Sequence, residues 1–381
     1  MSVMTDEMTQ MKNMIKQFVE KEIEPFAQQI EEDDCIPPHL INKAKKLGLF
    51  GMSIPEKYGG IGLNTLSKTV VLEQLGHTHN GYVSLISAHT GIGSTGLVKL
   101  ASESLKQKYL PEMAAGEKIA CFALSEPGAG SDATNLATTA VKKGDKWIIN
   151  GSKHFITNAP IADLFTVFAV TDKEKGAKGG ITAFLIEKNY PGLFIGAKDK
   201  KMGLRGSYTS QVIFEDCEVP EENVIGEVGM GYISALTILG EGRVGLAARS
   251  VGSANKLIEM SAKYAKDRIQ FGKPIANNQA IQWMLANMAT ETEAARQLTF
   301  LAAQLIDSGK KAIKEASMAK MNATEVFNKV ADHAVQIHGG MGYVADYPIE
   351  RFYRDARITK IYEGTNEIQR MIVARHVLDE V

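Results

Sequence analysis

Three long segments with helical periodicity, all after Gly231, constrain the fold more than any other feature of this chain. They read ISALTILGEGRVGLAARSVGSANKLIEMSAKYAKDR, NQAIQWMLANMATETEAARQLTFLAAQLID and KKAIKEASMAKMNATEVFNKVADHAVQIHG. Each covers roughly thirty residues, well above the ~12 residues of an average helix. Long helices joined by short connections are typical of a bundle. We therefore predict a C-terminal helical bundle domain over residues 229–381.

The remaining sequence divides into a helical part and a β-rich part. In residues 1–118, apolar side chains from Met8 to Phe18 recur at steps of three and four, and further helical blocks are punctuated by Pro and Gly. Residues 119–228 contain short β-branched or aromatic runs, among them KWIINGSKHFITN, LFTVFAVT and GITAFLIEK, which favour an antiparallel sheet or barrel. The predicted fold class is α+β multidomain, with helical, β and helical domains in that order.

Composition and charge exclude several functional classes. The 381 residues carry a net charge of −1, so neither nucleic acid nor an anionic membrane is expected as a partner. No apolar run approaches the ~20 residues of a membrane span, and the N-terminal segment is not a secretory signal. The three cysteines are far apart, which argues against a disulfide framework or a metal site. We expect a cytoplasmic protein without a membrane span.

Two glycine-rich stretches lie before or at the start of the β region. GIGSTG, residues 91–96, formally matches a dinucleotide-binding fingerprint, but its setting is helical and lacks a βαβ unit. We interpret it as a loop or a close helix approach. ALSEPGAGSD, residues 123–132, can bring backbone N–H groups close to an anion, although an ordinary turn is an equally open interpretation.

The last two motifs are QIHGGMGYVADYPIERFYRDAR and IYEGTNEIQR. The Gly339–Gly340 pair ends a long helix and allows the backbone to approach a ligand. Thr365 or Asn366 can cap the last helix. Glu363 precedes that cap, and its position alone favours an acid that interacts with the helix dipole.

Four ordered motifs, LSEPGAGSD, DRIQFGKPIANNQAIQ and the two above, make the chain resemble the acyl-CoA dehydrogenases from end to end. The resemblance is closest to the short-chain (butyryl-type) and short-branched-chain members. It implies an N-terminal helical domain, a middle antiparallel β-barrel and a C-terminal four-helix bundle. It also implies that FAD is bound without a Rossmann motif.

The resemblance assigns ligand contacts to all three domains. The residues that it implies for FAD are Phe122, Leu124, Ser125, Gly130, Ser131, Phe155, Ile156, Thr157, Arg268, Phe271, Gln279, Gln336, Gly340, Thr365 and Glu367. Those that it implies for the acyl-CoA substrate are Ser131, Gly242, Arg243, Glu363 and Gly364. In the family, the contacts from Arg268 to Gly340 reach the FAD of a neighbouring subunit, so a homotetramer is expected.

The resemblance also identifies Glu363 as the catalytic base. It would remove the α-proton of the acyl thioester while the β-hydride leaves for flavin N5, and electrons would pass on to an electron-transferring flavoprotein. A variant of the family places the base at the position of Gly242, which has no carboxylate here. The neighbouring Glu241 is expected to point elsewhere.

Three alternatives stay open beside a short-chain acyl-CoA dehydrogenase of fatty acid β-oxidation. An acyl-CoA oxidase or an enoyl-CoA-reducing enzyme would have the same fold. A non-enzymatic scaffold or assembly homologue belongs to another class. Such a protein would be free to lose the base, yet Glu363 and all the flavin motifs are present in this sequence. The length and branching of the acyl chain are not marked by any motif.

Overall fold

The computed structural model describes residues 4–380, which form a helical, a β and a second helical region in that order. The α-helices of the first region are α1 (Asp6–Phe18), α2 (Ala27–Asp33), α3 (Pro38–Lys46), α4 (Thr65–Leu75), α5 (Asn80–Ala88), α6 (Ser94–Leu100) and α7 (Glu103–Ala114). Helix α1 begins after Thr5, whose hydroxyl accepts a hydrogen bond from Met8 N–H, as a favourable N-cap does. The predicted helical N-terminal region is confirmed.

The stretch GIGSTG is helical, so its interpretation as a loop was wrong. It covers the end of a π-helical turn, His89–Gly93, and the beginning of α6. A Cβ atom at Gly93 would lie only 2.8 Å from Ala120 O, at the start of the sheet. Gly93 is therefore needed where two backbones approach each other closely. A close approach was the other interpretation of this stretch.

The middle region is an eight-stranded sheet. Its strands are β1 (Ala120–Ala123), β2 (Thr139–Lys143), β3 (Lys146–Thr157), β4 (Leu164–Val170), β5 (Ile181–Glu187), β6 (Leu193–Ile195), β7 (Thr209–Pro220) and β8 (Val224–Ile225). They lie in the order β6-β7-β3-β2-β4-β5-β8, with β1 paired to β4. The short helix α8 (Ala177–Gly180) connects β4 to β5.

Most strand pairs are antiparallel, as predicted, but β4 pairs in parallel with both β1 and β2. Sequence patterns missed these two pairs for a physical reason. The β2–β3 hairpin separates β1 from β4 along the chain, so no turn signal connects the two strands that become neighbours. The β1–β4 pairing is what leads the chain from the helical region into the sheet.

The C-terminal region contains α9 (Gly231–Asp267), α10 (Gln279–Asp307), α11 (Ile313–His338), α12 (Ile349–Thr359) and α13 (Asn366–Asp379). A small hairpin, β9 (Ile269–Gln270) and β10 (Lys273–Pro274), connects α9 to α10. Helix α11 packs against α9, α10, α12 and α13. The three long helices are those predicted from periodicity, so the helical bundle is confirmed.

Helix α9 joins the three regions because its buried residues belong to three apolar cores. Ile238 packs with the sheet and α7, Ala248 packs with the N-terminal helices, and Val251 packs within the bundle. Helix α4 crosses α9 at very short range, since a Cβ at Gly252 would lie 1.9 Å from Glu73 O. No helix in residues 4–380 is both long enough and apolar enough to cross a membrane.

Candidate active site

The turn between α12 and α13 contains two consecutive residues in the left-handed backbone conformation. Glu363 has φ 56° and Gly364 has φ 87°. For a residue with a side chain, this conformation costs about 1–3 kcal/mol, and such strain tends to occur at functional sites. The φ of Gly364 favours glycine there, and a Cβ would in addition lie 2.7 Å from Gln369 Nε2.

A buried lysine on α11 fixes this turn. Lys320 Nζ donates hydrogen bonds to Gly364 O at 2.9 Å and to Asn366 Oδ1 at 2.8 Å. Gln369 Nε2 donates a further bond to Gly364 O at 3.0 Å. Burial lowers the pKa of Lys320 to about 8. These bonds hold the strained backbone of Glu363 and Gly364 in place.

The Glu363 carboxylate is desolvated. Its Oε2 atom is buried and has no hydrogen-bond partner in the described chain. Burial raises the pKa of Glu363, although the positive charges of Arg249, Lys320 and Arg243 act in the opposite direction. A carboxylate with a raised pKa and a free lone pair is suited to act as a general base.

Gly242 on α9 faces this carboxylate directly. A Cβ atom at position 242 would lie 2.5 Å from Glu363 Oε2 and 2.9 Å from Ile92 Cγ2. Contacts this short do not occur in real structures, so no side chain fits beside Glu363 in its present position. The two positions that the resemblance gives for a base therefore meet at one place, and only Glu363 supplies a carboxylate there.

Two buried arginines on α9 surround the turn. Arg249 donates to Ser87 Oγ at 3.1 Å and to the Tyr362 hydroxyl at 2.6 Å. Its guanidinium also lies 5.3 Å from the centre of the Tyr362 ring. Arg243 is 4% exposed, and its Nε atom has no partner within residues 4–380. Arg249 thus orients the residue that precedes Glu363.

A small cavity lies beside Glu363. Gly242 and Arg249 line it near the carboxylate, and Leu72, Ile92 and Leu246 give it the apolar part of its wall. Charged residues line it as well, so a short acyl chain bound there would contact both apolar and charged side chains.

One expectation about a neighbouring residue was wrong. Glu241 lines the same cavity instead of pointing away from it, because one turn of α9 presents both Glu241 and Gly242 to the gap between α9 and α4. Of the two residues before Glu363, Ile361 is 46% exposed, whereas Tyr362 packs against Arg249.

A second group of candidate residues meets where the chain leaves β1 and passes β3. His154 N–H donates to Ser125 O at 2.9 Å. Lys153 Nζ donates to Leu124 O at 3.1 Å and to Glu126 Oε1 at 2.7 Å. Lys153 and Glu126 are both buried, so their ion pair is well shielded from solvent. This pair fixes Ser125 beside the end of β3.

The end of β3 presents an aromatic ring to the surface. Phe155 has φ 58°, is 67% exposed and stacks on His154 with ring centres 4.0 Å apart. Thr157, two residues on, is partly exposed. By contrast, the side chains of Phe122, Leu124 and Ile156 are buried in apolar cores, so only their backbones can contact a ligand.

These residues fit a flavin. A Cβ at Gly130 would meet no atom within 4 Å, so the loop exposes its backbone as a cradle for a ligand. Ser131 is exposed beside it. Together with the Phe155 ring and the Thr157 hydroxyl, the loop offers stacking and hydrogen-bonding groups on one side of the sheet. No group of His, Cys, Asp or Glu in the described part of the chain could hold a metal ion.

A third group of candidate residues lies on open surface. Arg268, Gln279, Gln336 and Gly340 are exposed, and Phe271 is 97% exposed with φ 51°. Within residues 4–380, no hydrogen bond, ion pair or ring contact joins them to the Glu363 turn or to the end of β3. A bulky aromatic residue that is both strained and exposed indicates a surface that another molecule covers.

The beginning of α13 carries the last two candidates. Thr365 is the N-cap, and its hydroxyl accepts from Ile368 N–H at 3.4 Å, which decides between the two caps that the sequence left open. Glu367 lies in the first turn and is exposed. Both are within four residues of Glu363 along the chain.

Sequence reasoning missed the buried charges that support these groups. Arg249, Lys320 and Lys153 received no role from the motifs, yet each donates a hydrogen bond to a candidate residue or to its neighbour, and Glu126 pairs with Lys153. A signal was present, because Arg249 and Lys153 are charged residues within runs that are otherwise suited to burial.

Family models cover almost the whole chain. The model described as acyl-CoA dehydrogenase, N-terminal domain, matches residues 5–117. The middle-domain model matches residues 121–217, and the C-terminal-domain model matches residues 229–378.

Among similar proteins, an acyl-CoA dehydrogenase of Bacillus subtilis (strain 168) is 46% identical over 374 residues, with 98% of each chain covered. The human mitochondrial short-chain specific acyl-CoA dehydrogenase is 44% identical, with 95% of this chain and 88% of the relative covered. An acryloyl-CoA reductase (NADH) of Anaerotignum propionicum is 43% identical, with 98% and 95% covered.

Solved structures with the same architecture include butyryl-CoA dehydrogenase from Megasphaera elsdenii, with a TM-score of 0.96, 39% identity, and coverage of 99% of this chain and 100% of that chain. A chain solved in work on the electron transferring flavoprotein of Acidaminococcus fermentans has a TM-score of 0.97 and 44% identity, with the same coverage of both chains. An acyl-CoA dehydrogenase from Bacillus anthracis complexed with FAD has a TM-score of 0.92 and 39% identity, with coverage of 99% of this chain and 68% of that chain.

Proposed function

This chain belongs to the acyl-CoA dehydrogenase family of FAD-dependent oxidoreductases, and we propose that it converts a short-chain acyl-CoA to the trans-2-enoyl-CoA. The observation that carries the proposal is the buried Oε2 of Glu363, which has no partner in the described residues and lies at the wall of a cavity. The relatives named for short-chain and butyryl substrates support the chain-length class.

Glu363 accepts the α-proton of the acyl thioester. Burial raises the pKa of its carboxylate, which brings the base closer in proton affinity to the weakly acidic carbon. The left-handed backbone at Glu363 and Gly364, held by Lys320, aims the carboxylate at the cavity. The absence of a side chain at Gly242 leaves room for the carboxylate itself, because Oε2 lies where a Cβ at position 242 would clash with it.

The backbone of the same turn stabilises the negative charge that develops on the thioester oxygen. Glu363 N–H donates no hydrogen bond within residues 4–380, so it is free to donate to that oxygen. A donor fixed before the reaction stabilises an oxyanion without reorganisation. Arg243 and Gly364 complete the substrate end of the turn.

The bound FAD supplies the hydride acceptor. Ser125, Gly130, Ser131, Phe155 and Thr157 hold its flavin half from the β domain. Thr365 and Glu367 contact it from the start of α13, and the backbones of Phe122, Leu124 and Ile156 complete the site. In this assignment, the chain divides into residues 1–118, 119–228 and 229–381, and the site lies where the three domains meet.

Arg268, Phe271, Gln279, Gln336 and Gly340 bind the FAD of a neighbouring subunit in a homotetramer. Their exposure supports this assignment, because a flavin contact on open surface needs a partner to complete it. Reduced enzyme passes its electrons to an electron-transferring flavoprotein. A neighbour solved in work on such a flavoprotein supports this partner.

A specific observation favours a second candidate, the same chemistry in the opposite direction. A relative that is 43% identical is named acryloyl-CoA reductase (NADH), so the reaction of this fold can be used to reduce an enoyl-CoA. The residues of the Glu363 turn would then return a proton to the α-carbon.

The test is anaerobic mixing of purified holoenzyme with butyryl-CoA, followed by absorbance of the flavin and mass spectrometry of the product. We expect bleaching of the flavin and formation of crotonyl-CoA. No bleaching with straight or branched acyl-CoA of any short length would contradict the proposal. Rapid consumption of crotonyl-CoA by the reduced enzyme, with slow reaction in the forward direction, would favour the reductase, and hydrogen peroxide formed at the full turnover rate would indicate an oxidase.

A further inference from the structure

The wall of the acyl cavity contains a buried lysine that the proposed reaction does not use. Lys68 on α4 lines the cavity together with Glu241 and Glu363 and is only 6% exposed. We propose that Lys68 binds a carboxylate at the far end of the acyl group, so that the preferred substrate is a short dicarboxylic acid linked to CoA at one end. This inference rests on the proposed function and names its substrate class.

Helix α4 is an unusual place for a lysine. All of its residues, Thr65–Leu75, are buried between the N-terminal helices and the bundle. A lone ammonium in such surroundings is unfavourable, and an apolar residue of the same size is often neutral or stabilising there. A charge kept at this position therefore needs a partner.

The described chain provides no direct partner for Lys68. Its Nζ forms no hydrogen bond and no salt bridge with any residue from 4 to 380, although the helix brings it into the field of Glu241 and Asp307. Asp307 accepts hydrogen bonds from Thr65 N–H at 2.7 Å and Leu66 N–H at 2.9 Å, so its oxygens cap α4.

Glu241 is also engaged elsewhere, because it forms an ion pair with Lys99 at the edge of the cavity. Lys68 is therefore left without a carboxylate bonded to it at this wall. An anionic group that enters the cavity would be attracted to Lys68, whereas a methyl group would leave the ammonium unpaired.

Lys68 and the base Glu363 are influenced by different sets of charged residues. The charges that act on Glu363 are Arg249, Lys320 and Arg243. Those that act on Lys68 are Glu241, Lys99 and Asp307.

The apolar side chains of Leu72, Ile92 and Leu246 form other parts of the cavity wall. An acyl chain with its thioester at Glu363 would cover these side chains and reach Lys68 with its other end. The distal carboxylate stays unchanged while the α-proton passes to Glu363.

The experiment compares two matched pairs of substrates on the holoenzyme: glutaryl-CoA with pentanoyl-CoA, and adipoyl-CoA with hexanoyl-CoA. Within a pair the carbon count is equal and only the distal group differs. We expect kcat/KM to be at least about tenfold higher for the dicarboxylic member of one pair. Higher kcat/KM for the methyl-ended member of both pairs would overturn the proposal.

Lys68→Met keeps the length of the side chain and removes its charge. We expect it to lower kcat/KM for the dicarboxylic substrate by about 30-fold or more, as loss of one partner of a buried charge pair does, and to leave the methyl-ended substrate unchanged or improved. Lys68→Arg should retain the preference, and Lys143→Met, which removes an exposed lysine on β2, is the matched control. An equal effect of Lys68→Met on both members of a pair would contradict the role of the ammonium.

Binding measured by calorimetry in the Glu363→Gln holoenzyme separates the two proposals. We expect tighter binding of the dicarboxylic member there and loss of that difference when Lys68→Met is added. Equal binding of both members would refute the role of Lys68 even if Glu363 is the base. Normal turnover by Glu363→Gln would refute the proposed function, and a binding preference that depends on Lys68 would still support the anion site.

Discussion

The Glu363 pocket and the surface around Phe271 differ in what they need to be complete. Glu363 is enclosed by residues of its own chain, from Gly242 and Arg249 on α9 to Lys320 on α11. Phe271 has the same left-handed backbone conformation, yet its ring is 97% exposed. The comparison teaches that strain alone does not identify a finished site. In the first region the chain itself encloses the strained residue, whereas in the second its own side chains leave the ring open, as our proposal of a neighbouring subunit there requires.

Glu363→Gln should have the largest effect, and only on the Glu363 pocket. The substitution keeps the shape of the side chain and removes its ability to accept a proton. We expect the rate of flavin reduction by substrate to fall by ~10²–10⁴-fold, as loss of a positioned base does. FAD content and assembly should stay normal, because the contacts on the exposed surface are untouched.

The measurement is anaerobic stopped-flow absorbance of the flavin, with Glu227→Gln as the control because Glu227 is exposed and far from the turn in sequence. If Glu363 only interacts with the helix dipole, the change in unfolding free energy should be under about 1 kcal/mol and reduction should be nearly normal. That outcome would direct attention to Glu241, which lines the same cavity.

Arg268→Ala should have the next largest effect, on FAD binding at the exposed surface around Phe271. A hydrogen bond to a charged group contributes about 1.5–3 kcal/mol, so FAD affinity should fall by about 10- to 100-fold. The checks are the flavin to protein ratio after gel filtration and the mass by light scattering, compared with Arg357→Ala, an exposed arginine on α12. A monomer with full FAD content in the wild type would show that one chain completes both regions.

Two glycine substitutions sharpen the comparison with smaller effects. Gly242→Ala places a Cβ 2.5 Å from Glu363 Oε2, so we expect about tenfold slower flavin reduction with FAD retained. At Gly340, a Cβ meets nothing within 4 Å in its own chain, so Gly340→Ala should leave the unfolding free energy of the chain unchanged and weaken FAD binding. The reverse pattern, with FAD loss in Gly242→Ala and slow chemistry in Gly340→Ala, would contradict the assignment of the two regions.

Much of the fold could be predicted because its signals are local. The long helices α9, α10 and α11 follow from periodicity, and the capping residue Thr365 was one of two that the sequence offered. The parallel pairing of β1 with β4 was missed because it joins strands that are not consecutive, and no short-range pattern records such a contact.

The candidate site, like the fold, could be predicted from the sequence only in part. The motif around Glu363 could be identified from the sequence, but the support that it receives from Lys320, Arg249 and Gly242 depends on helices that meet only in the folded chain. The charge of Lys68 is visible in the sequence, whereas its burial without a partner is not. A charged residue within an otherwise apolar run is a signal of burial, but the sequence does not show which groups it will contact after folding.

The central claim is that the desolvated Glu363 carboxylate takes the α-proton, and the most direct test is the pH dependence of flavin reduction in wild type and Glu363→Gln. Below its pKa the carboxylate is protonated and cannot accept a proton, so the wild-type rate should fall about tenfold per pH unit there. Because burial raises the pKa of Glu363, this fall should begin at a higher pH than for an exposed glutamate. The account predicts that the slow reaction of Glu363→Gln does not show this fall at low pH. A variant whose rate falls with pH as the wild-type rate does would contradict the account.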